Sequence, residues 1–244
     1  MHYIDKIDIL IKKVRDSQNQ NIEAAANAIA NAISAGRLIY AFGTGHSHML
    51  AEEIFYRAGG LVSVYPILED AIMLHRGAFR SSRIERISGY AEVLLENYKD
   101  ILPGDVMLLF SNSGRNTVIV EMAQEAKKRK MLTICITSLR HSRSCGSRAP
   151  EGLKLHDICD IVIDNCGEPG DACMDISGVK CGPTSTVIGA TILQETVCRA
   201  VEMMMSPQSS AKGRPEVFQS SNIDGGDEAN AAYYNKYNGK IKIL

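Results

Sequence analysis

The sequence is short of several things, and each shortage narrows its function. No apolar run approaches the roughly 18 residues of a transmembrane helix, so no membrane span is expected. Met1-His2-Tyr3-Ile4-Asp5 has neither the basic nor the apolar region of a signal peptide, which makes the cytoplasm the expected location. Neither sign of charge is in excess: 27 lysines and arginines stand against 28 aspartates and glutamates, for a formal net charge of −1. Such a chain has no general affinity for nucleic acid or anionic membrane, so any anion site must be local. Seven cysteines make an odd number, and no two stand as Cys-x-x-Cys. That argues against a disulfide framework and against a standard zinc site. The near-even run Cys159, Cys166, Cys173 and Cys181 invites a metal reading, yet reduced, partly buried thiols are the default. The hydroxyl-rich stretch at 111–117 is neither of the common nucleotide loops: no Lys follows its Gly as in a P-loop, and it is not Gly-x-Gly-x-x-Gly.

What is present is organised around residues 106–123. Val106-Met107-Leu108-Leu109-Phe110 follows the turn Pro103-Gly104-Asp105 and reads as a strand buried on both faces, as in a parallel sheet. The composition then flips to Ser111-Asn112-Ser113-Gly114-Arg115-Asn116-Thr117, after which Val118, Met122 and Ala126 mark a helical stripe. A strand, a hydroxyl-rich turn and a helix start make a phosphate-binding geometry, because the first amides of the helix lack partners and carry its positive end. Ser111, Ser113 and Thr117 add hydroxyls, and Gly114 lets the backbone approach an anion. Helix capping by Asn112 or Ser113 is the simpler alternative, but one cap needs fewer hydroxyls than these.

The remainder of the chain alternates strand and helix. Residues 3–35 read as helical, with a break at Asp16-Ser17-Gln18-Asn19-Gln20 and a capping box from Ser17 to Gln20. Leu38-Ile39-Tyr40-Ala41-Phe42 is a strand that runs into Gly43-Thr44-Gly45-His46-Ser47-His48, and a helix over 49–58 follows. The strand, glycine turn and helix pattern therefore occurs twice, and two such turns at the carboxyl ends of parallel strands flank one crevice. Further strands are expected at 61–65, 132–136 and 161–163, and a helix at 83–98. Residues 138–157 read as a loop over the sheet edge whose Arg140, Arg143 and Arg148 form a solvated surface. Residues 164–182 read as a long irregular connection, and a final helix covers 183–205. The tail 206–244, with Phe218, Tyr233, Tyr234 and Tyr237, is too apolar to dismiss and is expected to pack on the domain or on a second subunit. The expectation is one domain over 1–244, with N-terminal helices at 1–35 and a core at 36–205. Its fold class is α/β, a three-layer α/β/α sandwich with a five-stranded parallel sheet, flavodoxin-like.

The 111–117 stretch resembles the Ser-x-Ser-Gly-x-[Ser/Thr] signature of sugar isomerase (SIS) domains, whose members bind phosphosugars through these hydroxyls. Gly43-Thr44-Gly45-His46-Ser47 is similar to the first glycine-rich loop of that family, and Ala51-Glu52-Glu53 to its phosphoheptose isomerase branch. The blocks at 45–60, 111–116 and 182–187 look closer still to a bacterial SIS group, the UPF0309 proteins, and that likeness takes in the N-terminal helix and the Gly225-Gly226-Asp227-Glu228 tail. The family includes isomerases, an etherase, transferase domains and sugar-phosphate-sensing regulators.

Aldose–ketose isomerisation needs a base to take a proton α to a carbonyl, a second group to move the hydroxyl proton, and a fixed phosphate. By resemblance, Glu53 is the carboxylate base; Glu52 points about 100° away from it on a helix, and a solvated glutamate is the plain alternative. His75, in Leu74-His75-Arg76-Gly77, is similar in placement to the His-Gly of SIS arabinose-phosphate isomerases, which serves in proton transfer or ring opening. Glu195 aligns with a Gln-Glu pair near the phosphoheptose isomerase site, although Val197 stands where that branch has its catalytic histidine. Gly43, Gly45, His46, Ser47, Ser111, Asn112, Ser113, Gly114, Asn116 and Thr117 are the candidate substrate and phosphate contacts. His46 and His48 at i, i+2 have no third ligand at an obvious spacing, so no metal and no cofactor are expected. The reading is a phosphosugar-binding homodimer or homotetramer, an isomerase by carboxylate and histidine chemistry or else a non-catalytic sugar-phosphate sensor. A flavin or nucleotide module ranks last, since the loops lack its aromatic and acidic signatures.

Overall fold

The computed structural model describes residues 2–207 and 214–244. Its centre is a five-stranded parallel sheet: β1 (Ile39–Gly43), β2 (Val64–Pro66), β3 (Val106–Phe110), β4 (Leu132–Thr137) and β5 (Ile161–Asp164), in the order β2-β1-β3-β4-β5. β1 and β3 are neighbours in register from Ile39 opposite Val106 to Gly43 opposite Phe110. The chain therefore leaves the sheet in opposite directions after these two strands, and the crevice between their carboxyl ends is the switch point of the topology.

Alternation along the strands sorts the core into two faces. Ile39, Ala41, Val106, Leu108 and Phe110 pack with α1 (Tyr3–Ser34), α2 (His48–Glu53) and α8 (Ser185–Met205). Tyr40, Phe42, Met107 and Leu109 face α4 (Tyr90–Leu95) and α5 (Thr117–Lys128). Phe218, Tyr237 and Ile241 join that second face: residues 214–244 pass the β2 edge with a bridge from Val217 to Leu61 and carry α9 (Gly226–Tyr237). Of the 206–244 tail read from the sequence, residues 208–213 lie outside the described residues.

Several local expectations are corrected. α1 is one continuous helix of 32 residues, not two. The polar group at its middle is consumed by helix-compatible contacts: Lys12 pairs with Asp16 across one turn, Ser17 Oγ donates back to the Lys13 carbonyl, and Gln18 Oε1 accepts from Asp164 N at 3.0 Å. The helix expected at 49–58 stops at Glu53, with Tyr56 in a left-handed conformation soon after. The helix expected at 83–98 is two, α3 (Ala78–Ile84) and α4, because Gly89 turns left-handed and the Glu121 carboxylate accepts from Ser88 Oγ and Gly89 N. Within 138–157 lie two short helices, α6 (Leu139–Arg143) and α7 (Leu155–Ile158). Within 164–182 lies a hairpin, β6 (Ala172–Ile176) and β7 (Val179–Pro183), closed by Ser177 and Gly178 at φ of 52° and 86°. Two successive positive-φ residues are the signature of a tight hairpin turn whose twist matches its strands.

Candidate functional site

At the carboxyl rim, three hydroxyl-bearing turns meet. β1 enters a 3-10 turn at Gly45–Ser47 before α2 begins. Gly43 is forced there by space, since a Cβ on it would lie 2.5 Å from the Ser47 carbonyl oxygen. β3 enters the 111–117 loop, where the Ser111 hydroxyl accepts from Gly114 N at 3.1 Å and Gly114 adopts φ of 59°. β7 leads into α8, whose first turn is held by Asp171: its carboxylate accepts from Thr184 N, Ser185 N, Thr184 Oγ1 and Ser185 Oγ.

Between the turns lies a narrow cleft lined by His46, Ser47, Leu50, Ser111, Asn112, Ile136, Asn165, Ser185 and Thr186. None of these is an Asp, Glu, Lys or Arg, so the lining offers neutral donors and acceptors. Its floor is a carboxamide relay: Asn165 Nδ2 donates to Asn112 Oδ1 at 2.9 Å, and Asn165 Oδ1 accepts from Gly167 N. Asn112 Nδ2 lies 3.4 Å from His141 Nδ1, and burial holds His141 below the usual histidine range. A larger hollow of about 510 Å³, beside Leu38, Asp105 and Tyr237, sits at the amino ends of the strands. Open α/β sheets bind ligands at the opposite rim.

The sequence-predicted residues divide accordingly. Gly43, Gly45, His46, Ser47, Ser111, Asn112, Ser113, Gly114, Asn116 and Thr117 all lie on the two adjacent turns, and His46, Ser47, Ser111 and Asn112 line the cleft itself. Ser113 Oγ makes no hydrogen bond among the described residues. Thr117 is buried and its hydroxyl donates to the Arg148 carbonyl at 3.0 Å, while Asn116 Oδ1 accepts from Arg148 Nη1 at 2.7 Å. Arg148 is exposed, as expected for this stretch, and its guanidinium reaches the loop from that surface.

None of the proposed acid and base groups is among the residues that line the cleft. Glu53, at the end of α2, is paired with Arg57 and accepts from Gln194 Nε2 at 3.1 Å, nine residues along α8 from Ser185. Nine residues of helix span about 13 Å. Glu195 is half-exposed and bonded to Arg199 at 2.8 Å, on the side where Arg199 also meets Glu23 of α1. His75 stands in the exposed 3-10 turn Leu74–Arg76, with Nε2 3.9 Å from Asp70; Leu74 packs over Gly45. Beneath, His48 is buried with Nδ1 3.6 Å from Glu52 and Nε2 without a partner among the described residues. Burial lowers its pKa, Glu52 and Asp70 oppose that shift, and His75 adds to it.

Four contributors escaped the sequence reading. Asn165, Ser185 and Thr186 lie in or next to the segment expected to be irregular: β5 pairing beside β4 brings Asn165 to the rim, and the hairpin returns Ser185 and Thr186. Glu85 was read as mid-helix; the break after α3 lets its side chain accept from Thr44 Oγ1 at 2.7 Å while its carbonyl accepts from Val118 N at 3.1 Å. Among the described residues no three His, Cys, Asp or Glu side chains could hold a metal ion, and no helix is long and apolar enough to cross a membrane.

Comparison with known proteins places the chain in a family. Residues 2–138 match the model of the SIS domain. A UPF0309 protein of Geobacillus thermodenitrificans is 41% identical over 244 residues, covering 99% of this chain and 96% of that one. The chain belongs to the SIS-domain family. A second UPF0309 relative, from Listeria monocytogenes, is also 41% identical and covers 100% of this SIS protein and 97% of its own length. Among solved structures, phosphoheptose isomerases from Francisella tularensis (TM-score 0.51, 16% identity) and Neisseria gonorrhoeae (TM-score 0.50, 14% identity) share the SIS fold. Each alignment covers 81% of this chain and 92% of the other.

Proposed function

We propose that this SIS protein binds a phosphorylated sugar in the cleft between the β1, β3 and α8 turns. The observation that carries the reading is the ring of Ser47, Ser111, Ser185 and Thr186 hydroxyls with the Asn112 and Asn165 carboxamides at the topological switch point. A sugar presents hydroxyls that both donate and accept, and these side chains answer in kind without burying a charge. The uncommitted Ser113 hydroxyl, on the helix-forming loop, is suited to the phosphate end.

The finer proposal is aldose–ketose isomerisation through an enediol. His46 at the cleft is the nearest proton-transfer group. Glu53, His75 and Glu195 serve in this mechanism only where a second copy of the chain brings them against the cleft, so a homodimer or homotetramer is part of it. A non-catalytic sensor is the second reading, favoured by a specific observation: no carboxylate lines the cleft of the single chain.

Thermal-shift measurements across phosphosugars and their unphosphorylated counterparts test the binding. Equal stabilisation by both sets sinks the phosphate assignment. For the hits, NMR in deuterated water separates the two finer readings: exchange of the carbon-bound proton, lost in Glu53→Gln, supports the isomerase. Binding without exchange supports the sensor.

A further inference from the structure

Two of the backbone donors that make such a loop an anion cradle are taken here. Gly114 N donates to Ser111 Oγ, and Val118 N donates to the Glu85 carbonyl. The remaining amides carry only partial positive charge, and full charge comes from side chains. Arg148 donates through its main chain to the Arg115 carbonyl at 2.8 Å and through Nη1 to Asn116 Oδ1 at 2.7 Å, while its own carbonyl accepts from Thr117 Oγ1. Arg115 belongs to the loop itself. Its Nε is closed off from solvent with no hydrogen-bond acceptor among the described residues, a costly state for a charged donor.

The two guanidiniums stand close enough to act on each other. Partial burial, then Arg115 and Arg86, draw Arg148 below the usual guanidinium range, with Glu85 opposing. Neither Arg115 nor Arg148 forms an ion pair among the described residues. Two mutually repelling cations, one with an orphaned donor, are held on the loop that carries the free Ser113 hydroxyl, next to the neutral cleft. The missing component is an anion.

We propose that Arg115 and Arg148 form a guanidinium clamp for the phosphate dianion of the ligand, beside Ser113. This rests on the phosphosugar reading and adds to it the source of the charge. Planar guanidinium forks match phosphate oxygens two at a time, which an ammonium does not do. Asn116 fixes the Arg148 fork by one donor and leaves its others for the ligand. The sugar then runs from the clamp across Asn112 into the hydroxyl cleft.

The test uses the full chain with inorganic phosphate as probe, titrated by calorimetry and by phosphorus NMR line width. Arg115→Gln and Arg148→Gln are each expected to weaken phosphate binding about tenfold, and the Lys substitutions to recover only part of it. Arg143→Gln, on exposed α6, leaves affinity unchanged. Added salt weakens the wild type more steeply than the double variant. If a Gln variant fails to fold, the Lys pair decides: reduced affinity supports the clamp, and wild-type affinity overturns it. Double-variant binding equal to wild type, with loss on Ser113→Ala, overturns the clamp and leaves the phosphosugar reading intact. Wild-type protein that binds neither phosphate nor any phosphosugar overturns both.

Discussion

Thr44 Oγ1 donates a 2.7 Å hydrogen bond to Glu85 Oε2, and the carbonyl of the same glutamate accepts from Val118 N at 3.1 Å. One residue at the end of α3 therefore ties the turn after β1 to the start of α5. The two rim turns are fixed relative to each other by a residue that belongs to neither.

Glu85→Ala removes the side-chain half of this tie and leaves the main-chain half. A hydrogen bond to a charged group that is partly buried is worth about 1–3 kcal/mol, and that is the expected loss in a urea unfolding series. Phosphosugar affinity falls as well, because the first turn is freed. Unchanged affinity alongside the stability loss would show that Thr44 holds its place without help.

Gly43 carries a harsher constraint. Its Cβ would meet the Ser47 carbonyl oxygen at 2.5 Å and the Ser47 carbonyl carbon at 2.6 Å, and both belong to backbone that cannot swing aside. Gly43→Ala is expected to cost at least about 1–3 kcal/mol, the usual range for overpacking, and to distort the cleft at Ser47. Ser47→Ala keeps the backbone and serves as the comparison: it should melt near wild type and bind sugar less well.

The strands and both glycine turns were legible because they depend on local signals. Apolar runs such as Val106 to Phe110 end abruptly in Ser and Gly, and the period of two or of 3.6 is readable from the sequence itself. What resisted reading was set by partners distant in the chain. Nothing near Gln18 announces that its side chain will bond Asp164 N, so a polar patch looked like a break in α1. Nothing near Ser88 announces Glu121, so the turn that exposes Glu85 looked helical. Asn165 reaches the cleft only because β5 pairs beside β4, and Ser185 only because the hairpin turns the chain back. The candidate phosphate loop is legible from its own residues; the acid and base groups come by resemblance, and neither Glu53 nor Glu195 lines the cleft.

Asp171 is the residue to remove to loosen α8 alone. It takes four hydrogen bonds from Thr184 and Ser185, at 2.6 to 3.1 Å, and so replaces the cap that Thr184 does not supply from its own side chain. Asp171→Ala is expected to lose about 0.5–2 kcal/mol, the range for deleting a helix cap. Ser185 lines the cleft, so sugar affinity drops in the same variant. Asp171→Asn, which keeps an acceptor, recovers part of both; a melting point for Asp171→Ala equal to wild type would remove this residue from the account.

The buried His48 gives the protein an acid-sensitive side, and the sign follows from which state holds the proton. Its side chain is 4% exposed, its Nε2 has no acceptor among the described residues, and burial outweighs the help that Glu52 and Asp70 offer to a charged ring. An unfolded histidine takes up its proton near pH 6.5, whereas the folded ring does so only at lower pH. Between those values the unfolded chain binds more protons, so stability is full above about pH 6.5 and declines as the pH falls through that window. His141, also lowered by burial, acts in the same direction. Melting temperatures taken from about pH 8 to about pH 5 should therefore be flat and then fall, and His48→Gln, which cannot titrate there, should flatten the fall. If His48→Gln keeps the wild-type acid slope, the proton uptake belongs to another group, and the enclosed ring at the foot of the first turn is not what makes the fold sensitive to acid.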